Sequence, residues 1–306
     1  MVRIEADASG NPTETPELTF KYNSTGVQWR PNNQYVYGDY VEQTGAVLDG
    51  WGSTSSPFDC KGVQANFVDN AATWGGGHGA ALRAFSMAKY GDITGTFIGN
   101  HSVASGGAIY NYAQYTYDPT DAYAQIGDIT GDFIGNYVND VTGDFMNHGG
   151  GGAIFNSGID NTAFNVTIGD INGNFIRNYT TSSNFNQYGG AIQNMAAEIG
   201  NITGDFVENY NSVSGSGKVA KGGAIYNGAI NAAKGSTIGD IKGDFIGNYA
   251  TSTNGNAYGG AIYNAFEGAP NNSISINSIT GNFYNNSVTA TAANSVAFGS
   301  AIYNNG

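Results

Sequence analysis

Cysteine, proline and positive charge are all scarce in this chain of 306 residues, and each scarcity removes a class of protein. The single cysteine, Cys60, excludes an intramolecular disulfide framework. Eleven lysines and arginines against 24 acids leave a net charge of −13. That balance argues against nucleic acid as a partner and would repel an anionic membrane. No apolar run reaches the ~18 residues of a transmembrane helix. The opening stretch, MVRIEADASGNPTETPEL, has no apolar core of a signal peptide. Three histidines (His78, His101, His148) form neither an HExxH motif nor a pair at ligand spacing. There is no Gly-x-Ser-x-Gly elbow and no Walker A loop. GGGHGA at Gly75 lacks the following helix of a dinucleotide site and reads as a turn. No cofactor is implied.

What is present is glycine, at 47 residues about twice its ordinary share of ~7%, together with 20 tyrosines and 16 phenylalanines. The chain is too apolar and aromatic for disorder. Short apolar runs broken by Gly, Asn, Ser and Thr predict many short strands joined by tight turns.

Two signatures alternate along most of the sequence. The first, FxxN, falls at Phe67, Phe97, Phe133, Phe175, Phe206, Phe245 and Phe283, at spacings of 30, 36, 42, 31, 39 and 38 residues. The second, GGAI, begins at Gly106, Gly151, Gly189, Gly222 and Gly259. GSAIYN at Gly299 is a variant, GHGAAL around Gly79 a decayed copy, and GDFMNH at Phe145 an insertion. A period of this length marks a solenoid. Ile93, Gly95 and Phe97 share one parity, which is strand spacing, and glycine every few residues would cost a helix ~1 kcal/mol each. The expectation is an all-β protein, a β-solenoid with about two coils per repeat. That amounts to roughly 12–13 coils and a rod near 60 Å at ~4.8 Å per coil. Residues 1–60 lack the repeat, carry short strands at Val27, Tyr35 and Val41–Leu48, and are expected to cap the rod. Residues 61–306 are expected to form the solenoid, in about six to seven repeats. The sequence closes inside a repeat, at GSAIYNNG, and reads as a fragment of a longer protein.

Each repeated residue then has a physical task. Phe97, Phe133, Phe175, Phe206, Phe245 and Phe283 should stack into one core ladder. Asn100, Asn136, Asn178, Asn209, Asn248 and Asn286 should line a corner, bonding the backbone of the next coil. A second file runs through Asn111, Asn156, Asn194, Asn227, Asn264 and Asn304. The residue after the invariant Ile of GGAI varies among Tyr, Phe and Gln, so Ile is placed inside and that residue outside. Tyr110, Phe155, Tyr226, Tyr263 and Tyr303 thereby become the candidate binding face, with Tyr137, Tyr179, Tyr210 and Tyr249 as a second outward file. The linkers 211–221 and 250–258 are read as variable loops.

The ordered alternation of GGAI and FxxN resembles the polymorphic outer-membrane protein repeat of chlamydial autotransporter passengers, over about three quarters of the chain. The resemblance implies a right-handed parallel β-helix, agreeing with the right-handed crossover rule. It also implies export to the bacterial cell surface or beyond, and a role in adhesion. The near-absence of cysteine, the lack of a translocator barrel and the uniform IGDITGDFIGNY consensus depart from typical members, so chlamydial partners are not carried over. Host-surface protein or glycan is the implied partner, with end-to-end or lateral self-association as an alternative.

Three function classes follow. The leading one is a non-catalytic adhesin or stalk. A carbohydrate-active β-helix enzyme is second, and a self-assembling extracellular filament third. For the enzyme, Asp128 with Asp132 and Asp240 with Asp244 are the carboxylate pairs. On one strand their spacing is ~13 Å, beyond the ~5–9.5 Å of glycosidase pairs. The aspartates Asp92, Asp128, Asp170, Asp205 and Asp240 also recur with the repeat, as scaffold residues do. Between residues 90 and 306 the basic residues are only Arg177, Lys218, Lys221, Lys234 and Lys242. Catalysis is therefore not expected. Calcium at Asp128, Asp132, Asp240 and Asp244 is a weaker reading, since the calcium nonapeptide GGxGxDxUx does not occur.

Overall fold

A computed structural model describes residues 19–21, 35–37, 39–41, 47–53, 56–73, 77–113, 122–140, 148–158, 165–230, 235–267 and 273–305. The expected strand at Val27, the insertion at Phe145 and two of the three tryptophans, Trp29 and Trp74, lie outside these residues. Within them the chain holds no helix, and every strand ladder is parallel. Each sheet runs across successive repeats, as in a parallel β-helix.

The register corrects the coil count. Phe67, Phe97, Phe133, Phe175, Phe206, Phe245 and Phe283 are direct neighbours in one nine-stranded sheet. The GGAI strands are direct neighbours in a separate eight-stranded sheet. A whole repeat is thus one coil, carrying both signatures on different walls, where two coils per repeat were expected. Phe67 to Phe283 spans six coil rises, about 29 Å at ~4.8 Å each.

Part of the segment expected as a cap follows the same stacking without the signatures. Phe20 lies opposite Tyr40, and Tyr40 opposite Phe67. Tyr35–Tyr37 pairs with Gly62–Gln64, and Leu48–Trp51 with Leu82–Phe85.

The main core is enclosed by the nine-stranded sheet, the eight-stranded sheet and an eleven-stranded sheet that carries the Ile-Gly-Asp-Ile segments. One coil contributes Ile168, Ile171, Phe175, Ala191 and Ile192, and neighbouring coils repeat the set. The Phe rings lie face to face at 4.7–5.1 Å, so each fills the gap left by the last.

Outside this core the coil encloses more apolar space. A seven-stranded sheet beginning at the Tyr after FxxN meets a five-stranded sheet from the linkers; Val213, Ala220, Ala250 and Ala257 pack between them. The glycine pair of GGAI divides the two spaces. Gly189 turns the chain at φ +63, and a Cβ on Gly190 would lie 2.5 Å from the carbonyl oxygen of Tyr210. Only bare backbone passes so close to the Tyr strand.

Two files of asparagine stitch the coils together. Asn136 donates through Nδ2 to the Phe97 carbonyl of the preceding coil (2.8 Å) and to Asn178 Oδ1 of the next (2.9 Å). The same Asn178 Oδ1 accepts the Asn136 backbone N–H at 3.0 Å. The pattern repeats at Asn100, Asn178, Asn209 and Asn248, all expected from the sequence, with Asn286 at its later end. The second file joins Asn111, Asn156, Asn194, Asn227, Asn264 and Asn304 by Nδ2 to Oδ1 bonds of 2.7–2.9 Å.

Candidate functional site

The file expected to form a binding face is buried. Tyr110, Phe155, Tyr226 and Tyr263 are 3%, 2%, 0% and 4% exposed, and Tyr303 is partly buried. Ile of GGAI does face the main core, as expected, but the next residue faces a covering layer instead of solvent. The five-stranded sheet supplies that layer. Of its strands, Ala220–Lys221 and Ala257–Tyr258 come from the linkers read as loops, and Asn186–Tyr188 takes the equivalent place one coil earlier. Tyr188, Met195, Tyr226, Tyr263 and Ala265 form one apolar cluster there. Lys221 is enclosed with them, its Nζ 5.2 Å from the Tyr188 ring and 5.3 Å from the Tyr263 ring. An ammonium over two ring faces is a cation–π contact that offsets loss of water.

Polar groups interrupt this layer. Gln193 occupies the position of Phe155 and Tyr226, is fully buried, and has no hydrogen-bond partner at either amide atom. Arg83 takes the position of Tyr110 one coil earlier and pairs with buried Asp49 at 2.7 Å. His78 stacks on Tyr110 at 4.4 Å; its Nδ1 is unpartnered, and burial, then the Arg83 charge, lowers its pKa to about 3.

The second tyrosine file is half-buried. Tyr137, Tyr179, Tyr210 and Tyr249 stack at 4.7–4.9 Å with planes within 2° of parallel, and His101 begins the column. Neighbouring rings consume the faces of these rings, so the column offers solvent its edges. Burial raises all four phenol pKa values, and Tyr210, between Tyr179 and Tyr249, reaches about 12.

The aspartates separate into two outer files. Asp92 accepts the backbone N–H of Asp128, Asp128 that of Asp170, and Asp170 that of Asn201, at 2.7–3.0 Å. Asn201 then accepts from Asp240 at 2.9 Å. Asp240 takes bonds from Ser278 and Asn277, which hold its carboxyl below the usual carboxylate range. Asp205 belongs to the other file, with Asp132, Asn174, Asp244 and Asn282, rather than with Asp92 as the sequence pattern suggested. Asp128 and Asp132 flank Ile129–Thr130 at two successive corners, where one flat strand was expected. Strand 129–130 belongs to the eleven-stranded sheet and 133–134 to the nine-stranded one. No group of three or more His, Cys, Asp or Glu that could hold a metal occurs among the described residues.

One groove breaks the repetition. It lies on the outer face of the eleven-stranded sheet, has a volume of about 510 Å³, and is lined by Asp59, Lys61, Lys89, Asp92, Gln125 and Thr167. Register sets the first row: Asp59 opposite Lys89, Lys89 opposite Gln125, Gln125 opposite Thr167. In the second row Lys61 precedes Gly91 and Gly127, where a Cβ would collide with the Lys61 carbonyl and with Asp92 of the preceding coil. Asp59, Lys61, Lys89 and Asp92 are exposed, while Gln125 and Thr167 are half-buried. Sequence reasoning passed over this cluster because Lys61 and Lys89 lie before the uniform repeats. The signal was there, in two lysines and two aspartates placed close together within non-repeating coils.

No family model, no characterised protein and no solved structure matches this chain. The class the fold defines is the parallel β-solenoid, here with one repeat per coil and a second layer over one wall.

Proposed function

We propose that this chain is a non-catalytic β-helix passenger of a bacterial surface or secreted protein, acting in adhesion or as a stalk. The observation that carries the reading is the unbroken column of seven stacked Phe rings with one asparagine file at its corner and a second along the eight-stranded sheet. Such a rod holds whatever it displays at a fixed distance. Each coil is tied to its neighbours by hydrogen bonds that must open together before a protease can reach the chain. The alternation of GGAI and FxxN supports surface display by resemblance. The recurring carboxylates support a scaffold role, because most accept a backbone N–H from the next coil.

The test is a binding array of glycans and extracellular-matrix proteins, run beside limited proteolysis of the folded protein. Reproducible binding by a protease-resistant rod supports adhesion, and resistance without binding supports the stalk. Ready cleavage within the coils would overturn both. Because Tyr226 and Tyr263 are buried, their substitution tests stability and not the adhesive surface.

A further inference from the structure

The groove of Asp59, Lys61, Lys89 and Asp92 has no task in a passive rod. We infer that it binds a short saccharide bearing carboxylates. The inference stands on the groove itself and does not depend on where the rod is displayed.

Charge is the first argument. In a chain of net charge −13, basic side chains are rare, and several described ones are already engaged. Arg83 pairs with Asp49, Arg177 with Glu208, and Lys221 is enclosed by aromatic rings. Lys61 and Lys89 have no ion pair among the described residues, yet they lie in adjacent coils and line the same groove. Two ammonium groups in adjacent coils can each meet a carboxylate of one short ligand. The overall negative field disfavours a long polyanion, whereas a short ligand inside the groove lies within the ~8 Å Debye length of the lysines.

Hydrogen bonding is the second. Asp59 and Asp92 offer acceptors for sugar hydroxyls, and Gln125 and Thr167 offer both donors and acceptors along the floor. Planar polar groups spread over a shallow cleft match a polyol better than an apolar ligand, which would find little to bury against here. The rows run across four coils, from Asp59 to Thr167, so polar groups recur at each coil rise along the groove. Tyr123 stands close enough to Asp59 for that charge to add to the effect of burial in raising its phenol pKa. Two residues before Gln125 on strand Tyr123–Ile126, it faces the same side of the sheet and can offer its ring to the C–H face of a sugar.

The experiment is calorimetric titration of the folded protein with a galacturonic acid trimer and with a neutral galactose trimer. The acidic trimer should bind, and the neutral one at least about tenfold more weakly. The double substitution Lys61→Ala/Lys89→Ala should remove the preference, and Lys61→Glu/Lys89→Glu should abolish binding of the acidic trimer. Both side chains are exposed, so the unfolding midpoint should stay in place. No heat with the acidic trimer, equal binding of both trimers, or binding indifferent to the lysines would each overturn the inference.

Discussion

Asn178 stands between Phe133 of the preceding coil and Asn209 of the next, donating from Nδ2 to the Phe133 carbonyl at 2.9 Å and to Asn209 Oδ1 at 3.0 Å. Its own Oδ1 accepts both the backbone N–H and the side-chain amide of Asn136. One side chain thus satisfies buried groups on both sides of it, and its removal leaves them without water.

Asn178→Ala should therefore cost roughly 2–4 kcal/mol, since unpaired buried groups cost about 1–3 kcal/mol each. Guanidinium denaturation measures the loss. Hydrogen exchange should place it at the coils of Phe133 and Phe206 before the ends. An unchanged midpoint would mean that water replaces the ladder.

The glycines divide into two kinds. A Cβ on Gly190 meets the carbonyl oxygens of Gly223 and Tyr210, and backbone cannot move aside cheaply. Gly135, at φ +61, has nothing within 4 Å of its missing Cβ, and Arg177 and Glu208 occupy the same place in FxxN with φ of 54 and 53. Gly190→Ala should prevent a soluble fold or lower the unfolding midpoint sharply. Gly135→Asn should change stability by no more than about 1 kcal/mol. Circular dichroism melts of the two variants make the comparison.

Gln193 and Tyr226 are neighbours in one buried file and should respond in opposite directions. Gln193→Leu removes two unpartnered amide atoms and should stabilise by about 1–3 kcal/mol. Tyr226→Ala opens a cavity and should destabilise by about 3–5 kcal/mol. Were Gln193→Leu destabilising, a buried partner for that amide would have to exist.

His78 predicts acid sensitivity. Its folded pKa of about 3 lies below the ordinary 6.5, so the unfolded chain takes up the proton first. Its stabilising contribution is complete above pH 6.5 and declines as the pH falls toward 3. His78→Phe keeps a ring against Tyr110 and should flatten the fall in unfolding midpoint across that window. Parallel curves for the two proteins would remove His78 as the cause.

The core was legible because its residues recur: Phe133, Ile192 and Asn136 each occupy a position repeated along the chain. The number of coils was not. GGAI and FxxN both send an apolar side chain inward, so neither reveals whether they share a wall or face each other across one coil. The cover over Tyr226 was hidden as well. Its strands are two or three residues long and sit in linkers rich in Ser, Asn and Gly, too short for any alternation to show. One signal did survive, an aromatic just before the glycine pair at Tyr188 and Tyr258 and before Gly299-Ser300 at Phe298. The groove was obscured for the opposite reason, since its lysines have no counterparts in later repeats.

The asparagine files also give the rod a sense of direction. From Asn100 to Asn248, every ladder amide points its N–H groups toward the oxygen of the following asparagine, and none is reversed. The amide dipoles therefore add along the axis, and the two ends of the stack are chemically unlike. A partner coil that fits one end cannot fit the other. An assembly that continues this ladder from one rod into the next runs head to tail, as an arrow meets the next arrow.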